Sequence, residues 1–316
     1  MSKEVVLALG GGGMRGIAHI GVIRCLEENG YKIKGIAGTS AGGMIGALYA
    51  SGASLEEIDS LVKRFSEKPA FSRKRGDSAS LLGITVIEDL LRDVLTEKLI
   101  EDFPIKFVAT AVNLDTEREV VITSGKAIDA VLSTIAMPGI LPPRYTQDGL
   151  LIDGGVLDPV PVGLARQLNP SLPIVAVCLY KKHWEEAKSH STLPFEALVP
   201  KHITQRLAKN RFVEAFTIFY KAMDLINDRM ADANLLLDQP DVLVAPMVGH
   251  YHTLDVEIPD DLEKRGFEAM QLQLGQLEKS MTLVNSLMRI AKYTDSSNEL
   301  EPTIKPLTPP EEGNQS

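Results

Sequence analysis

The first fifty residues constrain this chain more than any other stretch. The apolar run Val5 to Leu9 reads as a strand, and Gly10-Gly11-Gly12-Gly13-Met14-Arg15-Gly16 follows it as a glycine turn. A helical pattern covers about Ile17 to Asn29, IKGIAG reads as a second strand, and a second helix runs from about Gly42 to Ser51. Strand and helix in alternation give a βαβα start, hence a parallel sheet. Both strands end in glycine-rich turns that open a helix, where backbone N–H groups and a helix N-terminus favour negative charge.

Downstream, Ser54 with Glu57 three residues later has the capping-box pattern and predicts a helix to about Phe65. A loop carrying Lys68, Arg73, Lys74 and Arg75 follows, open to two readings: a solvated charged loop or a contact with lipid head groups. Helix resumes over about Val86 to Leu95, and KFVATAVNL and REVVITS, parted by Asp115-Thr116-Glu117, predict a hairpin-like pair. A helix from about Ile128 to Ala136 should stop at Met137-Pro138-Gly139, because the residue before proline disfavours helix. After Pro142 and Pro143, GLLIDGG predicts a strand ending in an acidic turn. Then come the strand IVAVCLY, a long helical stretch from about Phe195 to Leu237, the strand DVLVAP and a last helix from about Asp260 to Lys292. The expected organisation is one catalytic unit over residues 1–292, with a core at 5–180 and a helical part at about 195–292, and a disordered tail over 293–316.

Gly38-Thr39-Ser40-Ala41-Gly42 is a G-x-S-x-G pattern placed directly between an apolar strand and a helix. Small flanking residues allow a sharp turn that holds the serine in a strained conformation with its hydroxyl presented. A plain glycine turn closing the strand is the alternative reading. The glycine loop after the first strand can gather several N–H groups on one anion, which in an acyl hydrolase is the oxyanion of the tetrahedral intermediate. Gly11-x-Gly13-x-x-Gly16 also fits a dinucleotide fingerprint, but the second strand ends in Gly38-Thr39-Ser40 with no acidic residue to hold a ribose. A Walker-type loop fails as well, since no Gly-Lys-Ser or Gly-Lys-Thr follows.

A serine nucleophile needs a base. The six histidines, His19, His183, His190, His202, His250 and His252, occupy no distinctive turn. Asp153-Gly154-Gly155 is the better candidate, because a strand delivers the carboxylate to a turn whose glycines permit close approach to another loop; an ordinary Asp-Gly turn is the alternative. An aspartate at its reference pKa near 3.9 is a weak base, so a water-poor site that raises its proton affinity is required.

Composition removes whole classes of function. Thirty-three basic against 42 acidic residues give a net charge of −9, which argues against nucleic-acid binding and against wholesale attraction to anionic membrane. Cys25 and Cys178 form neither a pairing nor a metal-ligand pattern and read as core thiols of a reducing compartment. No signal peptide is visible, and no segment approaches the ~18 uninterrupted apolar residues of a membrane span, so the expected location is cytoplasmic, with peripheral membrane contact allowed.

GGGMRG, GTSAG and DGG in this order resemble the patatin-like phospholipase family, specifically bacterial single-chain members related to the esterase domain of neuropathy target esterase. The resemblance is close over about Val5 to Val162 and looser through Asp241 to about Leu274. It implies a three-layer α/β/α fold around a central, mostly parallel sheet, with a helical C-terminal extension. It further implies Ser40 as nucleophile, Asp153 as its base, an oxyanion hole at Gly11, Gly12 and Gly13, and Arg15 orienting the loop or meeting a phosphate, with a helix-start salt bridge as the alternative for Arg15. Gly38, Gly42, Gly154 and Gly155 are then the elbow and turn glycines. Leu141 stands where the family often has an aromatic residue, and Asp158 where asparagine is frequent. The implied activity is hydrolysis of lipid acyl esters, of lysophospholipase or phospholipase A type, with no cofactor and no metal. A non-catalytic lipid-binding or regulatory module on the same fold is the alternative. Phe212, Phe216, Phe219, Met223 and Ile226 could wall an acyl pocket or simply be core.

Overall fold

The computed structural model describes residues 3–67, 84–180, 211–249, 251, 259–282, 285 and 289. The basic loop at Lys68 and Arg73 to Arg75, the tail from residue 293 and five of the six histidines lie outside these residues.

Two motifs of alternation build the core. β1 (Glu4–Leu9) sends Val5, Leu7 and Leu9 to one face of the sheet and Val6 and Ala8 to the other, as the two-residue period of a strand requires. Both faces are covered, which is why the strand is apolar almost throughout. On the first face lie α1 (Ala18–Glu28), α2 (Ala41–Ala50), α3 (Leu55–Glu67), α4 (Thr85–Leu95), α5 (Ala127–Thr134) and α8 (Pro259–Ser280), contributing among others Ile20, Ile45, Ile58, Leu91, Leu132 and Met270. On the second lie α6 (Val162–Leu168) and α7 (Arg211–Asp238), through Leu164, Ala165, Ala231 and Leu235. The result is the expected three-layer α/β/α arrangement.

The sheet contains β1, β2 (Lys32–Gly38), β3 (Lys106–Asn113), β4 (Arg118–Ile122), β5 (Arg144–Thr146), β6 (Gly149–Asp153), β7 (Ile174–Val177) and β8 (Val242–Val244). Its order is β5-β6-β3-β2-β1-β7-β8, with β4 pairing β3 off this path. The β1–β2, β2–β3, β1–β7 and β7–β8 pairs are parallel, whereas β3–β4, β3–β6 and β5–β6 are antiparallel. The chain winds outward from β1 through β2 to β3, then returns to lay β7 on the other edge of β1. The C-terminal ends of β1, β2 and β7 therefore flank the topological switch point, where open α/β sheets hold ligands.

Within the described residues the strands and helices read from the pattern are present, the start of the long helical stretch at 195–210 and most of 283–292 lying outside them. The Ser54 box forms, with Glu57 N–H donating to Ser54 Oγ at 3.2 Å and Ser54 N–H donating to Glu57 Oε2 at 2.8 Å. Two short elements had no pattern to reveal them. β5 has three residues and α6 seven, too few for a period to declare itself. The glycine loop opens first into a 3-10 turn, Gly13–Ile17, before α1 begins. Among the described residues, no helix is long and apolar enough to cross a membrane.

Candidate active site

Register brings Ser40 and Asp153 to the same level of the sheet. Gly38 at the end of β2 pairs with Ala109 of β3, and Ala111, two residues further along β3, pairs with Asp153 at the end of antiparallel β6. The chain past Gly38 then turns across the end of β3, so that Ser40 Oγ donates to Asp153 Oδ2 at 2.6 Å across 113 residues of sequence. The other carboxylate oxygen, Oδ1, accepts from the Gly155 N–H at 2.8 Å, which fixes the plane of the group.

The turn around Ser40 is the strained elbow that the G-x-S-x-G pattern predicts. Ser40 sits at φ 53°, ψ −122°, in the positive-φ region that side chains other than glycine rarely enter. Several contacts hold it there: the Ser40 N–H donates to Thr134 Oγ1 at 2.9 Å, and Thr39 Oγ1 bonds the Asp158 carbonyl at 2.8 Å and Thr110 Oγ1 at 3.0 Å. Gly42 lies against the Leu9 carbonyl and Gly154 against Thr110, in spaces a Cβ would overlap. Gly38 packs equally closely on Gly42 and Gly43.

Both partners are buried. Burial pushes the Asp153 carboxyl up from 3.8 to about 6, against the lowering effect of the bonds from Ser40 and Gly155. An ionised carboxylate with that proton affinity is a far better base than an exposed aspartate. Asp158 is raised to about 6 as well, chiefly by burial, although Asn234 Nδ2 donates to it at 3.1 Å.

Arg15 is fully buried beneath the glycine loop. Its Nε donates to the Gly12 carbonyl at 3.1 Å, its Nη2 lies 3.6 Å from Asp224 Oδ1, and its guanidinium lies over the Tyr180 ring at 5.6 Å. The bond to the Gly12 carbonyl fixes the peptide whose other end is the Gly13 N–H. Of the three glycines expected at an oxyanion, Gly11 has its N–H donating to the Pro159 carbonyl at 3.0 Å, whereas no acceptor among the described residues takes the N–H of Gly12 or Gly13.

Two compartments meet at Ser40. One, of about 130 Å³, is lined by apolar side chains from α2, α3, α4 and the α5 exit, including Met44, Leu48, Val62, Leu91 and Ile140. The other, of about 40 Å³, has a mixed lining: Arg15, Asp153, Tyr180, Asp224 and Asn227 bring polar groups to it beside the apolar side chains of Met137, Val156 and Met223. Of the α7 residues open to reading as an acyl wall or as core, Phe219 and Met223 line this second compartment and Ile226 is exposed. The apolar cavity lies on the other face of the sheet; the side chains of Phe212 and Phe216 fall outside the described residues.

His19 packs as expected. It is buried, donates Nε2–H to the Gly10 carbonyl at 2.8 Å, and burial lowers its pKa to about 4, so it braces the glycine loop as a neutral ring. Among the described residues, no group of three or more His, Cys, Asp or Glu could hold a metal ion. Two residues of the site escaped sequence reasoning. Thr134 had no signal, being one hydroxyl at the end of an apolar helix; Tyr180 had one, since it stands three residues past the C-terminal end of the parallel strand β7.

The Patatin-like phospholipase family profile matches residues 7–166. An NTE family protein of Mycobacterium bovis, itself uncharacterized, is 39% identical over 176 residues, which is 55% of this chain and 48% of that protein. The lysophospholipase NTE1 of Pyricularia oryzae is 36% identical over 172 residues, 53% of this chain and 11% of that protein. The match thus spans about half the length of the mycobacterial relative and about a tenth of the fungal one. Among solved structures, VipD from Legionella pneumophila aligns over 88% of this chain and 67% of its own, with a TM-score of 0.46 and 14% identity. Because the profile runs from β1 through the glycine loop, the elbow and the Asp153 turn into α6, half of the chain, this protein belongs to the patatin-like phospholipase family.

Proposed function

We propose that this protein is a serine acyl hydrolase that cleaves carboxylic esters of lipids, of lysophospholipase or phospholipase A type, with Ser40 as nucleophile and Asp153 as base. The observation that carries the reading is the 2.6 Å hydrogen bond from Ser40 Oγ to a buried carboxylate whose proton affinity burial has raised. Ser40 Oγ attacks the acyl carbon and gives its proton to Asp153 Oδ2. The oxyanion forms against the N–H groups of Gly12 and Gly13, and Arg15 is a positioning residue that holds the peptide carrying the Gly13 N–H. Collapse of the intermediate releases the alcohol and leaves an acyl-Ser40 ester, which water cleaves with Asp153 again taking a proton. The glycine loop supplies the electrophilic help, so no step calls for a metal.

The lipid character of the substrate is supported by the apolar cavity beside Ser40 and by the lysophospholipase names of the fungal relatives. Each methylene buried there contributes about 0.8 kcal/mol of binding. Two buried thiols, Cys25 and Cys178, support the cytoplasm as the compartment.

The test is labelling with a fluorophosphonate probe alongside release of p-nitrophenol from acyl esters. Wild type should label and turn over, Ser40→Ala should do neither, and a folded Asp153→Asn should lose turnover by roughly a thousandfold or more. A folded wild type that neither labels nor hydrolyses any ester would instead favour the binding module.

A further inference from the structure

Tyr180 stands just past β7 at the switch point, and the mechanism above leaves it idle. Its ring is buried, yet its hydroxyl is neither hydrogen-bonded to a described residue nor sealed from the mixed compartment that also holds Ser40 and Asp153. A Cβ placed on Gly11 would stand 2.7 Å from that hydroxyl and 3.2 Å from the Ser40 Cβ. One placed on Gly155 would stand 3.6 Å from the hydroxyl and 3.1 Å from Asp153 Oδ1. The phenol therefore flanks the same two points as the nucleophile and the carboxylate. Burial first, and then the nearby Asp153, hold its pKa well above the usual value in spite of Arg15, so the oxygen keeps its proton and acts as a donor.

An ester bound at Ser40 has two halves to place, and the two compartments differ in kind. The acyl chain takes the almost wholly apolar cavity on the α2–α5 side, which directs the alcohol half to the mixed compartment, where Arg15, Tyr180, Asp224 and Asn227 offer polar partners. Arg15 already faces Asp224 there at 3.6 Å, so the compartment suits an uncharged hydroxylated alcohol at the point of cleavage. We infer, on the Ser40–Asp153 reading, that this compartment receives the alcohol half of the ester and that the Tyr180 O–H hydrogen-bonds its leaving oxygen, making Tyr180 a catalytic residue.

As the acyl C–O bond breaks, its electron pair stays on the alcohol oxygen. The proton that Ser40 gave to Asp153 passes to that oxygen, and Tyr180 keeps its own. An aliphatic alkoxide is strongly basic and leaves poorly, so a fixed donor beside it lowers the barrier; a p-nitrophenolate leaves without such help.

The experiment compares kcat/KM for a glycerol monoester and a p-nitrophenyl ester of the same fatty acid in wild type, Tyr180→Phe and Ser40→Ala. Tyr180→Phe should lower the ratio of glycerol-ester to p-nitrophenyl-ester turnover by roughly 10- to 100-fold. Its fluorophosphonate labelling rate should stay near wild type, since fluoride departs without a proton, and that labelling also reports an intact fold. An unchanged ratio in a labelling-competent Tyr180→Phe overturns the assignment while leaving the Ser40–Asp153 reading standing. If Tyr180→Phe labels poorly, Tyr180→His supplies the second arm: restoring a donor should bring back part or all of the lost ratio, and a ratio no higher than that of Tyr180→Phe, or a loss shared by both esters, overturns it. Turnover that survives in Ser40→Ala overturns the parent reading and this one with it.

Discussion

Ser40 and Ser54 stand fourteen residues apart, each at the N-terminal position of a helix, and they are used in opposite ways. Ser54 spends its hydroxyl on the helix it opens, accepting from the Glu57 N–H at 3.2 Å, while Glu57 reaches back to the Ser54 N–H. Ser40 makes no side-chain cap; its backbone is held at φ 53° and its hydroxyl is turned out of the helix toward Asp153. Forgoing a cap costs about 1 kcal/mol, and a positive-φ residue of this kind costs about 1–3 kcal/mol. A serine at a helix entry is thus a structural element by default, and where the surrounding contacts compel it to stop capping its hydroxyl is free for the nucleophilic role proposed above.

The comparison can be broken at either serine. The largest expected effect is on turnover: Ser40→Ala should lower kcat by roughly 10⁴-fold or more, with a melting temperature close to wild type, because its hydroxyl supports no helix. Equal loss of stability and activity, read by calorimetry beside ester assays, would mean that the hydroxyl holds the fold.

The carboxylate that draws Ser40 out of the helix sets the next effect. With Asp153 as the proposed base, only its ionised form accepts the proton, so kcat/KM should fall about tenfold per pH unit below about 6, instead of holding to about 4 as for an unperturbed carboxyl. The same raised pKa has a sign for stability. Below pH ~4 the group is protonated in both folded and unfolded chains; as pH rises through about 6 the folded state must bury a charge and loses stability. Asp153→Asn should therefore melt higher than wild type at pH 8, by about 1–3 kcal/mol, and no higher at pH 4. A pH–rate limb near 4 would contradict both.

The smallest effect is at the ordinary cap. Ser54→Ala should cost about 1 kcal/mol in urea melts and leave kcat within about twofold, the reverse of Ser40→Ala. A large activity loss there would show that α3, which walls the apolar cavity through Leu61 and Val62, transmits the cap to the site.

The local geometry was legible because adjacent residues decide it. GGGMRG and GTSAG each lie between a strand and a helix, and the small residues at Gly42 and Gly154 sit where the backbone passes too close to a neighbour for a side chain. The capping box at Ser54 was equally plain, as was the alternation of Val5 to Leu9 that marks a strand covered on both faces. β5 and α6 were too short to show a period, and the use of the Gly11 N–H on Pro159 depended on a loop nearly 150 residues away.

By itself, then, the order of residues determined the elbow, the glycine loop, the acidic turn and the alternation that makes the sheet, since each depends on steric limits within a few consecutive residues. Only the tertiary structure decided which groups meet. The register of β3 against both β2 and β6 sets Ser40 level with Asp153, the end of α5 supplies Thr134, and the return of β7 to the free edge of β1 places Tyr180 beside them. The same packing put the apolar cavity on the α2–α5 face and the smaller, mixed compartment under α7. Strand register and layer assignment arise from contacts between segments far apart in the chain, and no local pattern carries them.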